Sequence, residues 1–188
     1  MPDIIVHIGL HKTGTSSIQK FLYENREGLL RQGIVYECPA KAWPNHHPVA
    51  TGIRDGAVDP GIRRFLTELV NRRDGRTILF SSEMFVEARF DFETFMGFFD
   101  GLSVKVLAYL RNPCDQLVSS FNEVVRDANV RWTREITEPP YPYDPSYLTL
   151  LAKWLNYEGL VLCPFDPDQW PSENILKDFS RMIEVDPT

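Results

Sequence analysis

The sequence predicts a single α/β domain over residues 1–188, a three-layer arrangement in which a mostly parallel sheet of about five strands carries helices on both faces. Two observations predict it. Short apolar, β-branched runs alternate along the chain with stripes of apolar residues at three- and four-residue spacing. Such alternation implies right-handed βαβ crossovers and a sheet covered on both sides. The 188 residues are enough to bury one core.

The strand candidates, in order, are "IIVHI" (4–8), "IVY" (34–36), "TILF" (77–80), "VKVLAYL" (104–110) and "LVLCPF" (160–165). The helix candidates between them carry Ile18, Phe21 and Leu22; then Ile62, Phe65, Leu66, Leu69 and Val70; then Leu117, Val118, Phe121, Val124, Val125 and Ala128. Two further stripes run from Tyr147 to Leu155 and from Ile175 to Ile183. Residues 38–60, with Pro39, Pro44, Pro48 and the pair His46-His47, read as an irregular excursion, as does "RWTREITEPPYPYDP" at 131–145.

A formal net charge of −6 argues against a nucleic-acid footprint, so any anion site must be local. Cys38, Cys114 and Cys163 are odd in number and widely spaced, which fits reduced thiols and a cytoplasmic setting. No signal peptide precedes the first strand candidate, and no apolar run approaches membrane-spanning length.

In parallel sheets ligands gather at the carboxyl ends of the strands, which selects the loops after residues 8, 80 and 110. The first, "HIGLHKTGTSS" (7–17), opens a helix. Unpaired N–H groups and the positive end of the helix dipole there favour a phosphate. Gly9 and Gly14 permit the tight backbone, Thr13, Thr15, Ser16 and Ser17 add hydroxyl donors, and Lys12 adds a point charge. The common nucleotide loop G-x-x-x-x-G-K-[ST] has its lysine directly after the second glycine; here Thr15 follows Gly14 and the lysine comes earlier. A Gly/Thr/Ser cluster can also simply cap a helix.

The third loop, "LAYLRNPCDQLVSSFNE", repeats the design: a strand ending at Leu110, then Arg111, then Asn112-Pro113 as N-cap and first-turn proline. Arg111 offers a planar fork to a terminal phosphate. At 100° per residue, Ser119 faces away from the apolar stripe of its helix. Arg111 pairing with Asp115 is the plainer alternative.

These two segments resemble the two nucleotide-binding motifs of the PAPS-dependent sulfotransferases, most closely bacterial members with an "HKTGTSS" loop. PAPS is 3′-phosphoadenosine-5′-phosphosulfate. The resemblance extends to "SSE" after the third strand and, weakly, to "ILKDFSRMIEV". It implies a P-loop NTPase-like fold, PAPS as donor and PAP as product, with no metal. It implies that Lys12 stabilises the oxygen bridging phosphate and sulfate, that the N–H groups of Thr13 to Ser17 assist, and that Arg111 and Ser119 hold the 3′-phosphate. No "G-x-x-G-x-x-K" segment of the cytosolic small-molecule enzymes is found near the C-terminus, and an incomplete or short C-terminal lid is expected.

An attacking hydroxyl needs a general base. Glu83 in "LFSSEMF" is the first choice, by position and because glycan-type relatives use a glutamate; it can also be an ordinary helix-start carboxylate. His11, His46 and His47 compete, since histidine titrates near neutrality. Ser81 and Ser82 are supporting candidates. Trp43, Trp132, Tyr141 and Tyr143 offer aromatic faces for a hydroxyl-bearing small molecule or glycan acceptor, or pack their loops. An ATP-dependent small-molecule kinase and a non-catalytic nucleotide-binding relative are the competing functions. The missing lysine after Gly14 and the Arg111/Ser119 pair count against the kinase.

Overall fold

The computed structural model describes residues 1–40, 44–127 and 147–186. Trp43, Trp132, Tyr141 and Tyr143 lie outside them, as does the 131–145 excursion.

Among the described residues, seven strands and eight α-helices follow in chain order: β1 (Ile4–His7), α1 (Thr15–Glu24), α2 (Arg26–Arg31), β2 (Ile34–Val35), α3 (His47–Gly52), β3 (Ile53–Arg54), β4 (Ala57–Val58), α4 (Pro60–Asn71), β5 (Thr77–Ser81), α5 (Phe92–Met96), β6 (Val104–Leu110), α6 (Pro113–Asp127), α7 (Tyr147–Leu151), β7 (Leu160–Pro164) and α8 (Ile175–Met182). Five strands form one sheet in the order β2-β5-β1-β6-β7, and every pair in it is parallel. The expected three-layer α/β fold is the one observed.

The two-residue period of a strand sorts the core into two faces. Ile4, Val6, Ile8 and Leu10 point with Ile78, Phe80, Val106 and Ala108 into a cluster covered by Ile62, Leu66 and Leu69 of α4 and by Phe85, Phe90, Phe95 and Trp154. Ile5, Leu79, Leu107 and Tyr109 point the other way, onto Ile18 and Leu22 of α1 and Phe179 of α8. Caps fix the helices: Asp59 accepts from the N–H of Gly61 and Ile62 ahead of α4, and Asn174 from the N–H of Leu176 ahead of α8.

Residues 44–60 hold more regular structure than their prolines suggest. They contain α3 and a two-stranded antiparallel hairpin, β3–β4, turned by Asp55 and Gly56, both at positive φ. The stripe from Tyr147 to Leu155 is helical only as far as Leu151. Among the described side chains of α6, the polar Gln116 and Ser120 are the buried ones, while Val118 is 45% exposed. Of the expected stripe, Val118 thus faces solvent, Leu117 and Phe121 are half-buried, and Ala128 lies outside the described residues. The three cysteines are free thiols, and among the described residues no helix is long and apolar enough to cross a membrane.

The strand order positions the site. From β1 the chain runs through α1 and α2 towards β2 at one edge; from β6 it runs towards β7 at the other. Loops leaving two adjacent parallel strands in opposite directions open a crevice between them. Beyond β1 the backbone keeps pairing with β6: Ile8 N–H donates to Leu107 O (2.9 Å) and Leu10 N–H to Tyr109 O (3.3 Å). That extended ladder carries the residues after Leu10 and Leu110 to the same level.

Candidate active site

One cleft of about 260 Å³ lies at this sheet edge, lined by His11, Lys12, Gly14, Thr15, Ser16, Glu83, Arg111, Ser119, Glu123 and Phe165. It gathers eight of the residues singled out in the sequence. A larger cavity of about 630 Å³ opens beside Arg89–Glu93 and Lys153–Tyr157, and none of those residues lines it. The smaller cleft is the candidate site because a helix N-terminus, an arginine and a lysine converge on it, which size alone does not supply.

Gly14 caps α1 in the left-handed conformation (φ +74°), with no side chain covering the helix end. The first-turn N–H groups therefore point into the loop without intrahelical partners. A Cβ at Gly14 would sit 3.3 Å from Phe165. Lys12 also adopts a positive φ, 63°, a conformation that costs a non-glycine residue about 1–3 kcal/mol and clusters at functional sites. The Thr13 hydroxyl donates to Leu10 O at 2.6 Å and is fully buried. It braces the turn and, contrary to expectation, does not line the cleft. Ser17 is exposed on α1 and does not line it either.

Arg111 donates from Nη1 to Lys12 O at 3.0 Å, with its guanidinium carbon 5.2 Å from the centre of the Phe165 ring. The arginine is thus tied to the lysine turn, stacked on an aromatic face, with further N–H groups of its fork available. Ser119 stands in the same cleft on α6, behind the cap that Asn112 Oδ1 makes for Cys114 N–H at 2.9 Å. Gln116, also on α6, donates from Nε2 to His11 O at 2.9 Å and accepts from Tyr147 OH at 3.0 Å, locking the helix against the loop.

Glu83 opens a short 3₁₀ turn (Glu83–Val86) just past β5. Its Oε2 accepts from Gln19 Nε2 at 2.8 Å, and His47 Nε2 lies 3.6 Å from Oε1. His47 Nδ1 in turn lies 2.7 Å from Ser82 Oγ. Burial lowers the pKa of His47, opposed by the Glu83 charge and reinforced by His11. Gly9 makes the approach possible: its α-carbon faces Glu83 so closely that a Cβ would fall 2.9 Å from Glu83 Cβ. His11 lines the cleft with Nε2 at 3.5 Å from Glu87.

His46 is placed elsewhere. It is fully buried, accepts from Ser81 N–H at 3.1 Å and approaches Glu37 O at 2.8 Å. Burial drives its pKa down to about 4. It holds the β5 end rather than facing the cleft. Ser81 Oγ lies 2.8 Å from the ring of buried His7. Ser81 and Ser82 thus serve as internal partners.

The sequence reading missed three residues at this site and gave a fourth a different role. Glu123 falls one turn after Ser119 on α6, and Phe165 directly follows β7 at the same sheet edge, so helical spacing and the strand-end rule both pointed there. Gln19 stands one turn into α1, and His47 was weighed only as a base. Among the described residues, no group of three or more His, Cys, Asp or Glu is placed to hold a metal ion.

No protein-family model matches the sequence, and no curated protein does. The fold is similar to the crystal structure of a sulfotransferase from Alicyclobacillus acidocaldarius, with a TM-score of 0.56 and 19% identity over 100% of this chain and 82% of that one. At that identity the likeness establishes the fold: a three-layer α/β architecture shared with a sulfotransferase.

Proposed function

We propose that this chain is a PAPS-dependent sulfotransferase that moves a sulfuryl group from PAPS to a hydroxyl acceptor, a small metabolite or a glycan. The observation that carries the reading is the junction of the two anion-binding turns, with the Arg111 guanidinium bonded to the carbonyl of Lys12 in one cleft. A nucleotide with separate 5′ and 3′ charges needs two such nooks; an ordinary nucleoside triphosphate needs one. At about 260 Å³ the cleft is smaller than the ~300–1,000 Å³ of sites that enclose a whole drug-sized ligand. It accounts for the anionic groups of such a donor and not for all of it.

In this reading the first-turn N–H groups of α1 and Lys12 bind the phosphosulfate, and Arg111 and Ser119 bind the 3′-phosphate. The acceptor oxygen attacks sulfur as the bond from sulfur to the bridging oxygen breaks. Negative charge then develops on PAP next to Lys12, where a fixed cation stabilises it most. The acceptor proton passes to Glu83, whose carboxylate Gln19 and His47 hold from either side. His11, which also lines the cleft, orients the acceptor.

The test is transfer of radiolabelled sulfate from PAPS to a panel of sugars and alcohols by wild type, Lys12→Ala and Glu83→Gln. Turnover by wild type, with PAP binding kept and turnover lost at least a hundredfold in Glu83→Gln, is expected. Full turnover in Glu83→Gln removes that residue from the role of base.

A further inference from the structure

The Lys12 ammonium already has a partner: Nζ donates to Glu123 Oε1 at 2.8 Å across the cleft. Both side chains line the space that the anion would enter, and Lys12 reaches it from a backbone conformation unusual for lysine. We propose that Glu123 is a positioning residue, a carboxylate latch that holds Lys12 while the cleft lacks an anion and yields it when a phosphosulfate enters. This rests on the preceding reading that Lys12 meets a donor anion.

The latch is built to open. Side-chain exposure is 21% for Lys12 and 43% for Glu123, so solvent and salt screen the pair and its intrinsic strength is small. A multiply charged phosphate ester outcompetes one such carboxylate. Ser119 and Glu123 lie four residues apart, on one face of α6. The helix that offers a hydroxyl to one end of the nucleotide therefore also restrains the cation meant for the other. Glu123 further taxes any anion in the cleft by like-charge repulsion, a term that selects for ligands able to engage Lys12 and Arg111 together.

Two measurements on the full chain test this. In ligand-free protein, acylation of Lys12 by sulfo-N-hydroxysuccinimide acetate, read by mass spectrometry, is expected to run about threefold or more faster in Glu123→Gln than in wild type, because loss of the pair frees the amine from its hydrogen bond. Glu123→Asp, which keeps the charge, restores most of the protection. By calorimetric titration, Glu123→Gln is expected to bind PAP about three- to tenfold more tightly than wild type. That gain shrinks in a Lys12→Ala background, where only the like-charge repulsion from Glu123 is left to relieve.

Equal acylation rates in wild type and Glu123→Gln overturn the latch, as does unchanged or weaker PAP binding by Glu123→Gln when wild type binds PAP. A Glu123 that merely braced the fold would give weaker binding and no gain. Failure of wild type to bind PAP at all strikes the functional reading itself, and the latch falls with it.

Discussion

Gly9→Ala tests the contact that brings Glu83 to the lysine loop, and its magnitude follows from two separate costs. At φ +97° an L-residue is strained, a cost of about 1–2 kcal/mol. The new methyl would also lie 2.9 Å from Glu83 Cβ and 3.2 Å from its Cα, atoms that move only with the backbone; overpacking of this kind costs about 1–3 kcal/mol. Gly75→Ala is the control. Gly75 has φ +71° and nothing within 4 Å of its added Cβ, so it incurs only the first cost. The loss of unfolded-state entropy is common to both substitutions and cancels. Urea unfolding is therefore expected to place Gly9→Ala about 1–3 kcal/mol below Gly75→Ala, or about 2–12 °C in melting temperature at about 2–4 °C per kcal/mol. Equal losses in the two variants would refute the close approach of residues 9 and 83, and with it the placement of the proposed base.

Arg111→Ala is expected to weaken PAP binding about ten- to a hundredfold, the range of a charge-assisted hydrogen bond lost from phosphate, and Arg111→Lys to recover only part because a point charge replaces the fork; calorimetry measures both. Stability is expected to fall as pH drops from about 6.5 to 4. Burial holds His7 down to about 3 and His46 down to about 4, so in that window the unfolded chain binds more protons, at up to about 1.4 kcal/mol per pH unit for each histidine. Urea titrations at pH 5 and 6.5 check the slope, which His46→Gln should reduce by one proton's worth; a flat profile would contradict neutral burial. Phe179→Ala, at a fully buried ring 5.1 Å from that of His7, is expected to cost about 3–5 kcal/mol in the same assay.

The sheet was legible because each of its strands is a short apolar run, and all five begin and end within about a residue of those runs. The site was legible wherever a loop carried its own signal. Gly14, Lys12, Arg111 and Ser119 announce themselves by type and by position after a strand. What escaped depends on contacts distant in sequence. The pairing of Lys12 with Glu123 spans 111 residues, and that of Gln19 with Glu83 spans 64; neither pattern repeats locally. Thr13 looked like a ligand donor because its hydroxyl is the right chemistry, but the turn uses it for its own carbonyl. The β3–β4 hairpin did have a local signal, Asp55-Gly56, outweighed by the surrounding prolines and by strands only two residues long. α6 misled for a different reason: its buried Gln116 is polar because it bonds the loop carbonyl of His11 and the hydroxyl of Tyr147 rather than entering an apolar layer.

The decisive measurement is calorimetric titration of the wild-type chain with PAP, adenosine 5′-monophosphate and Mg-ATP. Two linked anion nooks predict that PAP binds at least about tenfold more tightly than adenosine 5′-monophosphate, since only PAP offers a second phosphate to Arg111, and that Mg-ATP does not exceed PAP. Equal affinity for PAP and adenosine 5′-monophosphate, or binding of Mg-ATP with none of PAP, would contradict it.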